Sequence, residues 1–137
     1  MTEGVSRENA LYQSKVHAWM LACFGPAIAA DATERCHRFV EEALELSQSC
    51  GGTAEDAHKL VDYVFGRDVG EREQEVGGVM VTLAALCNAF SVDMDEAASR
   101  ELARCWKNIE RIRAKQAAKP IRSPLPALPS SGKQPTA

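Results

Sequence analysis

The sequence predicts an all-α fold, and three observations carry that expectation. Apolar residues recur at three- and four-residue spacing through almost everything before residue 117. No stretch alternates apolar and polar with period two over a useful length, which disfavours strands. Gly25-Pro26, Gly51-Gly52 and the Gly66 to Gly70 stretch punctuate the periodic segments as turns do.

The first helix is expected from about Ser6 to Cys23, with Tyr12, Val16, Trp19 and Cys23 on one stripe. The second opens at Asp31, whose spacing to Glu34 fits a capping box, and runs through Phe39, Val40, Ala43 and Leu44. A shorter third follows from Thr53 to Phe65, with Leu60, Val61 and Val64 as its apolar side. The fourth spans roughly Glu71 to Phe90. It carries Val76, Val79, Met80, Leu83 and Cys87, and two adjacent glycines, Gly77 and Gly78, that each cost a helix about 1 kcal/mol relative to alanine. The fifth starts at Asp93, with Glu96 in capping-box spacing, and its seam is Ala98, Leu102, Cys105, Ile109 and Ile112. These make a bundle of four to five helices in one domain, residues 1–119. Residues 120–137 hold five of the six prolines and are expected to be a disordered or loosely docked tail.

Composition narrows the function. Hydrophobic residues at 45% and charged ones at 26% are those of an ordinary globular chain. The net charge is −3, and since the tail holds Arg122 and Lys133 with no acid, residues 1–119 hold −5. An acidic body argues against direct nucleic-acid binding, which needs clustered lysine and arginine. No apolar run reaches the ~20 residues of a membrane span, and the opening MTEGVSREN lacks signal-peptide order, so a cytoplasmic location is expected. Five scattered cysteines without ligand spacing read as small apolar residues rather than a zinc site. Trp19 is expected in the core and Trp106 at an interface, whereas His37 and His58 stand without metal spacing.

The most informative stretch is RFVEEALELSQ. Glu41, Glu42 and Glu45 share one flank of the second helix beside apolar Phe39, Ala43 and Leu46. Two readings stay open: a solvated acidic face, or a carboxylate cluster for a hard divalent cation such as Mg2+. Glu75, near the start of another long helix, could join the second kind of site.

The ordered set Glu41-Glu42-Ala-Leu-Glu45, Glu75-Val-Gly-Gly78 and Lys107-Asn108-Ile-Glu-Arg111 resembles the all-α nucleoside triphosphate pyrophosphohydrolases of the MazG-like superfamily. The stretches LVDYVFGR, EVGGVMVTLAALC and IRAKQAAKP are similar to small MazG-like proteins of phages and prophages. The resemblance covers about residues 6–120. It implies an oligomeric helical bundle, a homodimer or homotetramer, that hydrolyses a nucleoside triphosphate to monophosphate and pyrophosphate with Mg2+, or Mn2+ in its place. It further implies Glu42, Glu45 and Glu75 as metal ligands, with Glu41 completing the cluster or orienting the attacking water. Lys107, Asn108 and Arg111 become candidates for nucleotide contacts, against a solvated basic face formed with Arg104 and Lys115. The pattern's fourth acid would fall at position 78, where this chain has Gly78. Glu71 or Asp62 could stand in for it. The alternative is a non-catalytic relative that binds nucleotide or regulates.

Overall fold

The computed structural model describes residues 3–125, with side chains described from residue 11 onward. Six helices form among them: α1 (Glu3–Ala29), α2 (Ala32–Ser49), α3 (Ala54–Phe65), α4 (Arg72–Ala89), α5 (Met94–Lys107) and α6 (Ile109–Ala117). No strand is present among the described residues, so the all-α expectation is met. The chain divides into a terminal unit, Met1–Phe39 with Leu102–Ala137, and a central unit, Val40–Glu101. The boundaries fall inside α2 and α5.

The terminal unit is organised by one apolar stripe. Trp19, Met20 and Cys23 of α1 are buried, and Val16, Phe24, Leu102, Cys105, Ile109 and Ile112 pack around them. The Trp19 and Phe24 rings meet edge to face at 5.6 Å. Helix α1 is broken at Gly25 (φ 78°, ψ 172°), a left-handed φ that favours glycine. The next residue, Pro26, has no N–H, so the Ala22 carbonyl loses its helical donor. Arg113 of α6 replaces it: its guanidinium donates to the Ala22 carbonyl and, through Nε at 2.9 Å, to that of Cys23. One arginine thereby caps the break and ties α6 to α1.

At the other end of α6 the chain is held to α2. Lys119 Nζ donates to Glu34 Oε1 at 3.1 Å, with both side chains largely covered. Glu34 also pairs with Arg38 at 3.3 Å, and Arg38 donates to the Pro124 carbonyl. Residues 120–125 form turns rather than helix, as expected, and rest on α2 through this contact. The remainder of the expected tail, 126–137, lies outside the described residues.

The seam expected as one fifth helix is two helices, interrupted at Asn108 (φ −104°, ψ 20°). Asparagine is a weak helix former because its side chain competes for backbone hydrogen bonds. The apolar register nonetheless continues across the break, since Cys105, Ile109 and Ile112 all reach the Trp19 cluster.

In the central unit the local signals hold. Thr53 Oγ1 accepts from the Asp56 N–H at 3.2 Å and Asp93 Oδ1 from the Glu96 N–H at 2.9 Å, so both helix starts are capped where the spacing places them. Glu71 caps α4, accepting from the Glu73 and Gln74 N–H groups at 3.1 and 2.8 Å. Helix α2 ends through Gly51 (φ 89°), with the Gly52 N–H donating back to the Ser47 carbonyl at 2.8 Å. Yet no residue of the central unit is buried. Of the cysteines only Cys23 is buried; Cys50, Cys87 and Cys105 are half-buried and Cys36 is exposed, so the expectation of buried small apolar residues holds fully at one position.

Candidate functional site

The acidic flank of α2 opens onto a groove. Glu41, Leu44, Glu45, Ser47 and Gln48 form one wall and Gly52 to Ala54, Ala57, His58 and Val61 the other, enclosing about 380 Å3. The α2 residues repeat at three and four, and Ala54, Ala57, His58 and Val61 do the same on α3, so two helical faces meet here. Leu44, Ala57 and Val61 supply apolar surface, whereas Glu41, Glu45, Gln48 and His58 supply the polar groups. Glu41 is half-buried and Glu45 exposed.

The expected carboxylate set is placed unevenly. Glu41 and Glu45 share this groove. Glu42 is exposed and does not line it. Glu75 is also absent from its lining; its carboxylate folds back over Gly70, where a Cβ would collide with it. Among the described residues no group of three or more His, Cys, Asp or Glu is placed to hold a metal ion. A single chain therefore offers the groove pair rather than a three-carboxylate cage. That is fewer protein ligands than the resemblance implies, although Mg2+ binds through one or two carboxylates when phosphates and waters complete its shell.

Glu71 is committed elsewhere. The two backbone N–H groups it accepts from stabilise its ionised form and lower its pKa from the ordinary value. Gly77 and Gly78 leave open space: beyond its own helix backbone, a Cβ on either would meet no atom of the described residues within 4 Å. No described residue occupies the side-chain position where the fourth acid is missing. The Thr82 hydroxyl donates to the Gly78 carbonyl at 2.9 Å, so the backbone there is doubly used.

Lys107, Asn108 and Arg111 belong to the terminal unit. Lys107 and Arg111 are exposed; Asn108 is half-buried at the junction of α5 and α6. Trp106, expected at an interface, is exposed. Trp19 lies in the core as expected, and its buried indole N–H has no hydrogen-bond partner among the described residues.

Division into units also exposes a charge pattern that splitting off the tail conceals. The central unit holds fourteen Asp and Glu against four Lys and Arg, a net −10. The terminal unit holds twelve Lys and Arg against five Asp and Glu, a net +7. His58 lines the groove although the sequence does not single it out, because a lone histidine without metal spacing carries no ligand signature. Across the described residues, no single helix is long and apolar enough to cross a membrane. Compared with known proteins, the chain matches no family model, no curated protein and no solved structure.

Proposed function

We propose that the chain is a Mg2+-dependent nucleoside triphosphate pyrophosphohydrolase of MazG-like type, working in the cytoplasm as a homodimer or homotetramer. The observation that carries this reading is the pairing of Glu41 and Glu45 on one rigid helix above an apolar-walled groove. Such a groove can take the apolar faces of a nucleoside while presenting carboxylates at its edge. Water attacks the α-phosphorus, the α–β P–O bond breaks, and pyrophosphate leaves with the bonding electrons. In this reading Glu41 accepts the proton of the attacking water and Glu45 is the groove's ligand to the ion, with Glu42 and Glu75, which do not line the groove, as the further carboxylates that the resemblance implies. Mg2+, or Mn2+ in its place, neutralises the polyphosphate when bound. Lys107, Asn108 and Arg111 are the proposed nucleotide contacts. The oligomer is supported by the central unit, where no side chain reaches burial in a single chain.

Release of pyrophosphate from each nucleoside triphosphate, read with added pyrophosphatase and with or without Mg2+, tests the reading. Glu41→Gln and Glu45→Gln should each lower turnover by about 100-fold or more. Unchanged turnover in both variants, or no Mg2+-dependent release from any triphosphate, overturns it. A non-catalytic relative is the second reading, favoured by Gly78 and by the dispersal of Glu75 from the groove. Calorimetric titration showing nucleotide binding without turnover selects it.

A further inference from the structure

The central unit presents fifteen large apolar side chains that remain at least a third exposed among the described residues, among them Leu60, Val61 and Val64 of α3 and Val76, Val79 and Met80 of α4. Nine of the fifteen lie on α3 and α4, and at roughly 60 Å2 apiece these offer on the order of 540 Å2, about two thirds of the ~800 Å2 that each partner contributes to a standard interface. Monomeric proteins seldom leave that much apolar surface in water.

Charge decides what covers it. Two central units face to face would set −10 against −10, and an anionic lipid surface would be repelled for the same reason. The complementary surface is present in the same chain at equal concentration. The terminal unit carries +7, with Arg104, Lys107, Arg111 and Lys115 exposed along α5 and α6. Beside these cations it leaves Trp106 of α5 and Phe39 of α2 about half exposed, so its outward surface is cationic with apolar side chains of its own to bury.

We propose that the acidic, apolar face of α3 and α4 in the central unit is the docking surface for the basic terminal unit of a second copy of this chain, in reciprocal two-fold pairing. Each copy then contributes one surface of each sign, and the two contacts close the dimer without leaving a free end. This pairing rests on the oligomer proposed above but not on its chemistry. Assembly is measured without nucleotide or Mg2+. Loss of assembly with turnover intact removes the pairing alone, and assembly without turnover removes the hydrolase alone.

Sedimentation equilibrium of the full chain, with two charge-reversed variants, tests it. Terminal variant Arg104→Glu/Lys115→Glu and central variant Asp62→Lys/Glu73→Lys should each associate on the order of tenfold more weakly than wild type. Mixed one to one they should recover association, because each reversed surface then meets its opposite. Raising salt should weaken the wild-type dimer. A wild-type monomer at about 100 μM, where even a weak specific dimer of micromolar Kd would be mostly assembled, overturns the proposal. So does a dimer that salt strengthens, or one that mixing does not restore while both variants keep wild-type helicity by circular dichroism. If either variant loses its helicity, the wild-type salt dependence decides alone.

Discussion

Trp19 and Cys23 on α1 are 9% and 5% exposed, whereas Leu60 and Val64 on α3, at the same four-residue spacing, are 61% and 48% exposed. The two stripes are alike as patterns and differ only in what they meet. The α1 stripe meets Leu102, Cys105, Ile109 and Ile112, residues some 80 to 90 positions later in the chain. Of the α3 stripe, Val61 lines the short groove against α2, and among the described residues Leu60 and Val64 stay exposed. Amphipathicity states that a helix has a face to bury; it does not state that the same chain supplies the cover. Charge follows the same division. The unit with a core of its own is cationic and the unit without one is anionic.

The largest test of this contrast is a pair of truncations. Trp19→Ala should cost about 3–5 kcal/mol, since a large side chain is removed from a packed site. Val61→Ala, at a half-exposed position, should change the stability of the dilute monomer by no more than about 0.5 kcal/mol. Urea denaturation at low protein concentration checks both, and similar losses would erase the distinction between the units. A smaller effect of opposite sign is expected on α4. Gly77→Ala and Gly78→Ala should each raise stability by about 1 kcal/mol, because each removes a helix-destabilising glycine and the new Cβ meets nothing. A fall in melting temperature instead would mean that something outside the chain approaches this backbone.

The smallest effect concerns pH. Glu71 has its pKa lowered from 4.5 by the backbone N–H groups of Gln74 and Glu73, in that order of effect. Its stabilisation of α4 is therefore present above the unfolded value and is lost as pH falls through the lower folded value. Helicity followed by circular dichroism below pH 4.5 should decline less in Glu71→Gln, which has no carboxylate to protonate. Identical acid curves would separate the cap from the carboxylate's charge.

Helix starts were the most legible feature because a cap is made within four residues. Asp31, Thr53 and Asp93 each accept from the N–H three positions on, as their spacing implies. The second half of the Asp31–Glu34 box is different. Glu34 turns to Lys119, which stands 85 positions away and offers a charged partner that no local pattern announces. Arg113 is the same kind of residue: an i,i+3 partner of Glu110 in the sequence, and the cap of a broken helix in the fold. For the candidate site, the α2 spacing correctly grouped Glu41 with Glu45. It also grouped Glu42, which does not line the groove, and nothing in EVGG foretold that Glu75 would fold over Gly70.

By itself, then, the sequence determined the all-α class, the helix starts, the glycine breaks and which residues lie on each apolar stripe. Those depend on interactions spanning a turn or two, where spacing is geometry. Only the tertiary structure decided which stripe became a core, which acids share a groove, where the seam breaks at Asn108, and that opposite charges separate into two units. Those outcomes depend on which surfaces distant segments bring together, and equal local patterns become unequal once only one of them finds its complement in the chain.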